Sequence, residues 1–212
     1  MNVTQSEYQT LIEGCKNLPK PTGHTLINDY LENLLYTVLD FRMQGQVVER
    51  SVNHYRHNVP EQAGIKDFES IKALLTRYPN DREGNRQAAQ FLWGNNHWTR
   101  VELLRRFIQY FESQGIKTQV DLREWARRVS FERDFKGKVR GAGLGIFKWL
   151  VMRQGVETIK PDVWVHRFIE ETIGRRLKNE EAVEVLENVA QEVGVGAYNL
   201  DLAIWEYRRN RK

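Results

Sequence analysis

Cysteine is nearly missing from this chain of 212 residues, where Cys15 stands alone. An internal disulfide, a cysteine-ligated zinc site and a four-cysteine iron–sulfur cluster are therefore excluded, and a reducing, intracellular setting is expected. Long apolar runs are missing too. No stretch reaches about 18 consecutive apolar residues, and the opening MNVTQSEY has neither a basic flank nor an apolar run. Membrane spans and a secretory leader are not expected. Proline is scarce, at positions 19, 21, 60, 79 and 161, and all five fall in candidate connections rather than inside a long periodic run. What remains is ordinary for a folded chain, 41% hydrophobic against 28% charged, which argues against disorder. The length suits one good-sized domain or two small lobes.

The net charge of +4 says little, but its distribution says more. Between Arg123 and Arg140 lie seven basic residues (Arg123, Arg127, Arg128, Arg133, Lys136, Lys138, Arg140) against Glu124, Glu132 and Asp134. That stretch alone carries an excess equal to the whole chain's. The tail Arg208, Arg209, Arg211, Lys212 forms a second basic patch. Local excess of this kind suits a polyanion, while a solvated helix face explains it equally well.

Periodicity predicts an all-α fold. Leu31, Leu34, Leu35, Val38 and Leu39, then Val47, Val48 and Val52, recur at helical spacing with a break near residues 40–46. Phe68, Ile71, Leu74 and Leu75 form a short apolar set before Pro79, and Val101, Leu104, Phe107, Ile108 and Phe111 a stripe that stops at Gly115. Thr118 and Asp121 predict a capped helix through Trp125 and Val129. Asp162 reads as the N-cap of a helix carrying Val165, Phe168, Ile169 and Ile173, closed by Gly174. Asn179 opens another helix, and Leu200, Ala203, Ile204 and Tyr207 mark the last. No convincing alternating β-type run, repeat or low-complexity tract appears.

The segment from Val139 to Phe168 carries the chemistry. Gly141 and Gly143 stand between a basic, helix-like segment and an apolar one, the layout of a helix-hairpin-helix. A Gly-x-Gly turn permits φ > 0 and close backbone approach, so its amides can face a phosphate at the start of the next helix. A purely structural turn has the same pattern, and the upstream cations favour phosphate. Asp162 follows in Lys160-Pro161-Asp162-Val163-Trp164-Val165-His166-Arg167.

Here the chain resembles the helix-hairpin-helix DNA glycosylases of the endonuclease III-like superfamily. Their Leu-Pro-Gly-Val-Gly-like hairpin is matched by Val139-Arg140-Gly141-Ala142-Gly143, and their Val-Asp-Thr-His-Val-x-Arg-like segment by the stretch around Asp162. More faintly, residues 34–44 look like the family helix that ends in a DNA-probing loop, Trp93-Gly94-Asn95-Asn96 like the segment before the hairpin helices, and residues 200–208 like the closing helix. The resemblance implies a two-lobed helical bundle with a cleft between the lobes. Residues 31–156 would form one lobe with the hairpin, and 1–30 with 157–212 the other. It implies Asp162 as the catalytic carboxylate. The DNA contacts would come from Lys138, Arg140, Gly141, Ala142, Gly143, Gly145 and Lys148, with Arg42 and Met43 filling the gap left by a flipped base. The implied partner is double-stranded DNA containing a damaged or mismatched base. The implied protein is a cytoplasmic, nucleoid-associated monomer with no membrane contact. No cofactor or iron–sulfur cluster is expected, a monovalent cation at the hairpin being the one ion the resemblance leaves room for.

The chain departs from relatives that also cleave the backbone, which hold a nucleophilic lysine two residues after the hairpin's second glycine. That position is Gly145 here, or Phe147 if the hairpin is read as Gly143 and Gly145. The first register is preferred because it puts apolar Val139 before the turn. The expected function is thus base excision without strand cleavage. Breaking the base–sugar bond builds oxocarbenium-like charge that a fixed carboxylate stabilises while it orients or deprotonates water. Two alternatives stand beside it: a non-catalytic DNA-binding protein, and a bifunctional glycosylase and lyase using Lys148. For Asp162 the plain alternative is an ordinary helix cap, compatible with catalysis because a carboxylate has two oxygens. His54 and His57 read as a surface pair rather than metal ligands. His166 fits a cleft or a packing role equally. Trp98, Trp125, Trp149 and Trp164 suit the core more than base stacking.

Overall fold

In the computed structural model, which describes residues 2–21, 29–40 and 43–209, helix follows helix, and no strand occurs among the described residues. In chain order these are α1 (Gln5–Lys16), α2 (Tyr30–Asp40), α3 (Gly45–Ala63), α4 (Phe68–Leu75), α5 (Arg82–Trp93) and α6 (Trp98–Ser113). After them come α7 (Gln119–Arg128), a single π-helical turn (Phe131–Phe135), α8 (Leu144–Met152), α9 (Val163–Ile173), α10 (Asn179–Val193) and α11 (Ala197–Arg209). Contacts divide the chain into two units, Met1–Leu26 with Phe147–Lys212, and Ile27–Ile146. The sequence reading places that division at 30/31 and 156/157. Arg42, expected to probe DNA, lies outside the described residues, as do Arg211 and Lys212 of the basic tail.

Side-chain caps start several helices. Thr4 accepts the Glu7 N–H while Glu7 accepts the Thr4 N–H, and Thr118 with Asp121 repeats the arrangement at α7. The Asp162 carboxylate opens α9, and Gly174 closes it at φ 76°.

In the unit built from both ends of the chain, α1 packs on α9 and α10, and α11 packs on α9. Leu11, Ile12, Cys15, Phe168, Ile169, Val185, Leu186, Val189, Leu200 and Ile204 form its core. Burial pushes the Cys15 thiol up to about 12, so it is an inert apolar filler here. At the edge, Arg175 bridges to Glu7, whose carboxyl drops to about 2 as the guanidinium donates to it.

The unit Ile27–Ile146 is built on α2, α3, α5 and α6, with α4 against α6. Its core is aromatic. Phe68 stacks on Phe111 at 5.4 Å, Trp125 meets Phe111 edge-on at 5.4 Å, and Phe135 meets Tyr110 edge-on at 5.3 Å. Trp125 is therefore a core residue and offers no face to a base.

Three details differ from the sequence reading. Pro60 lies inside α3, not in a connection. It falls in the last turn, and the buried face of Val48, Val52, Tyr55 and Val59 carries the helix past the lost N–H; the proline carbonyl then accepts the N–H groups of Gly64 and Ile65. α5 has few large apolar residues to announce it. A Cβ on Gly84 would lie 2.1 Å from the Pro79 carbonyl oxygen, so glycine permits a close approach that no sequence period encodes. The basic segment before the hairpin is not a regular helix either. α7 ends at Arg128, and buried Phe135 draws the chain into the π turn and then a run of tight turns.

Candidate functional site

The hairpin turn is made in the unit Ile27–Ile146. Gly141 adopts φ 93°, a region closed to residues with a Cβ, and Val139 beside it is buried. Gly143 does not share the left-handed conformation, and a Cβ there would meet nothing within 4 Å. The expectation that both glycines are conformationally required is thus corrected to Gly141 alone. Ala142, expected among the DNA contacts, is buried, and its N–H donates to the Val139 carbonyl at 3.0 Å to close the turn. α8 begins at Leu144, which places Gly145 in its first turn, where N–H groups lack intrahelical acceptors.

Charge around the hairpin is sorted by pairing. Arg133 binds Asp134 through two short hydrogen bonds of 2.7 and 2.8 Å, and Lys136 pairs with Glu132 at 2.7 Å. Asp134 also accepts the Ser130 N–H, and its carboxyl falls to about 2, mainly through Arg133. Arg127, Arg128, Lys138 and Arg140 are exposed and have no acidic partner among the described residues. With Arg133 and Lys136 paired and Arg123 only partly exposed, these four form the exposed positive surface. Met43 sits half-buried in the bend between α2 and α3.

Asp162 lies in the other unit. Its Oδ1 accepts the N–H groups of Trp164 at 2.8 Å and Val165 at 3.2 Å, which fixes the carboxylate at the positive end of α9. Its Oδ2 is 3.3 Å from the Lys160 ammonium. The Lys160 backbone N–H in turn donates to Asp201 Oδ1 at 2.8 Å. Burial raises the Asp201 carboxyl to about 7, with Lys160 opposing the rise and Asp162 adding to it. The Trp149 ring takes the Arg153 guanidinium at 4.0 Å and the Lys160 ammonium at 4.3 Å from its centroid. Asp162 is therefore one of a group of two carboxyls, two cations and an indole. Sequence reasoning found one member and missed Lys160, Asp201 and Arg153. Lys160 stood two residues away in the same motif; Asp201 had no local signal.

Other expected residues are engaged elsewhere. The Lys148 ammonium donates to Thr158 Oγ1 at 2.8 Å and pairs with Glu187 at 3.3 Å, and Thr158 donates to the same carboxylate. Lys148, expected among the hairpin's DNA contacts, is thus engaged within the protein. His166 is buried with Nε2 at 2.8 Å from Asn179 Oδ1, a packing role. His54 and His57 bond the carbonyls of Phe91 and Asn53, and no group of three or more metal-ligating side chains exists among the described residues. Arg208 pairs with Glu171, and the exposed Arg209 lies 4.9 Å over the Trp205 ring. No helix among the described residues is long and apolar enough to cross a membrane.

The chain belongs to the DUF8548 family, described as a domain of unknown function, which it matches over residues 9–209. No curated protein and no solved structure matches it.

Proposed function

We propose that this member of the DUF8548 family is a DNA N-glycosylase that extrudes a damaged or mismatched base and hydrolyses its bond to the sugar, with Asp162 as the catalytic carboxylate. The observation that carries this reading is the unequal use of the two Asp162 oxygens. Two backbone amides hold Oδ1, while among the described residues Oδ2 meets the Lys160 ammonium at 3.3 Å. A carboxylate anchored in this way keeps its direction when Oδ2 turns to a new partner. An oxocarbenium-like sugar is such a partner, and so is the water that attacks it. The turn at Gly141 and the exposed cations Lys138 and Arg140 support a DNA partner, as does the resemblance of both segments to the endonuclease III-like superfamily.

The test is incubation with duplexes that each carry one lesion, followed by alkali or heat and gel separation. Strand breaks that appear only after that treatment, and disappear in Asp162→Asn, are expected. A second reading, DNA binding without catalysis, is favoured by the Lys160–Asp162 pair itself, because a capping carboxylate already matched by a cation needs no further role. Tight duplex binding with no excision across the panel would establish it.

A further inference from the structure

A groove of about 540 Å³ opens on the unit Ile27–Ile146, beside the chain that leads into the hairpin. One wall is α6, through Arg106, Gln109, Tyr110, Ser113 and Gln114. The other is the chain leading into the hairpin, through Asp134, Lys138 and Arg140. The walls are tied together, because the Arg106 guanidinium donates to the Arg140 carbonyl at 3.1 Å and the Tyr110 hydroxyl to the Asp134 carbonyl at 3.2 Å.

The charge of this groove is one-sided. Its only acidic lining residue, Asp134, is already matched by the two hydrogen bonds from Arg133. Lys138 and Arg140 have no acidic partner among the described residues, and Arg106 has Glu102 only at 3.5 Å on an exposed helix face. Gln109 and Gln114 are exposed and add neutral donors along the same wall. A concave surface with three cations, amide donors and a neutralised acid suits a chain of phosphates better than a single small anion.

We infer that this groove binds the phosphodiester backbone of duplex DNA, with α6 as the wall opposite the hairpin. The inference rests on the DNA-directed reading above and adds α6 to it. A hairpin acting alone gives Gln109 and Gln114 no role, so these two positions separate the groove from the hairpin.

The experiment measures binding of a fluorescein-labelled duplex by anisotropy over a range of salt, using the full chain. It compares the parent, the pair Gln109→Glu/Gln114→Glu, the pair Lys138→Gln/Arg140→Gln, and Val120→Glu, which adds a charge at an exposed residue of α7 outside the groove lining. Circular dichroism and thermal melting check that each variant is folded. The glutamate pair should lose at least about tenfold in affinity at low salt, since each new charge faces phosphate at short range. The Lys138/Arg140 pair should reduce the slope of log K against log[salt] by about 2. Val120→Glu should bind like the parent. Equal binding by the glutamate pair and Val120→Glu would overturn the groove while leaving base excision to be judged by the lesion assay. Groove-dependent binding with no excision would sustain the groove and remove the glycosylase reading. A parent with no affinity for duplex, or with equal or greater affinity for a single strand or an RNA duplex, would overturn the groove's assignment to duplex DNA.

Discussion

Asp201 Oδ1 accepts the backbone N–H of Lys160 at 2.8 Å, so a carboxyl on α11 is tied to the residue whose ammonium meets Asp162. The bond orders the loop just ahead of α9. It also ties to that loop a carboxyl that burial raises to about 7.

Stability should therefore fall as pH rises through the Asp201 range. Its carboxyl is raised to about 7 in the folded chain, against an ordinary 3.8. Well below pH 3.8 both states hold the proton and there is no penalty. Above that, the unfolded chain releases its proton while the folded one retains it, and the cost grows until about pH 7, to at most about 4 kcal/mol. Asp201→Asn keeps an acceptor for Lys160 and removes the charge. Urea denaturation should show parent and variant converging at about pH 3 and below, with the variant more stable by a few kcal/mol at pH 8. A stability difference that stays flat between these limits would falsify the assignment.

Asp162→Asn should separate capping from charge. Asparagine caps about as well as aspartate, so the melting temperature should barely change, whereas Asp162→Ala should cost about 1 kcal/mol. Base excision should drop by roughly 10²–10⁴ in both variants, since neither has a carboxylate to activate water. Single-turnover rates on a cleavable lesion duplex measure this directly.

The two hairpin glycines should respond differently to substitution. Gly141→Ala forces a Cβ into φ 93° and should destabilise by about 1–2 kcal/mol, and valine by more. Gly143→Ala meets open space and should change stability by no more than about 0.5 kcal/mol. Chemical denaturation of the pair reads the difference, and equal losses would place the special backbone elsewhere.

Abasic product should remain intact until alkali or heat is applied. A lyase needs a free amine to attack the sugar and form a Schiff base. Gly145 and Phe147 supply none, and the Lys148 ammonium is bound to Thr158 and Glu187. Borohydride should trap no covalent adduct. Lys148→Met should instead cost about 1 kcal/mol of stability by leaving the Thr158–Glu187 pair without its cation. An adduct that vanishes in this variant would establish the bifunctional alternative.

Much of the helical framework was legible in the chain because its signals are local. Thr118 with Asp121, Asp162 with the amides two and three residues on, and Gly174 act across a single turn. The stripe from Val101 to Phe111 repeats at the helical period and announces α6 in the same way. Where the local signal was thin, at polar α5, or misleading, at Pro60, the reading missed a helix or shortened one.

By itself, then, the sequence determined the all-helical character, several helix starts and stops, the glycine turn before α8 and the position of Asp162 ahead of α9. Tertiary structure alone decided which side chains meet. Lys160 and Asp201, Lys148 and Glu187, and Arg106 and Arg140 are far apart in the chain, and each pair joins different elements. Such contacts depend on how apolar faces pack rather than on any interval along the chain. Packing likewise turned the segment before the hairpin into a π turn around buried Phe135, where Arg133 and Lys136 found acidic partners. Helix caps are written within one turn of backbone; charge partners are chosen by the core that brings the helices together.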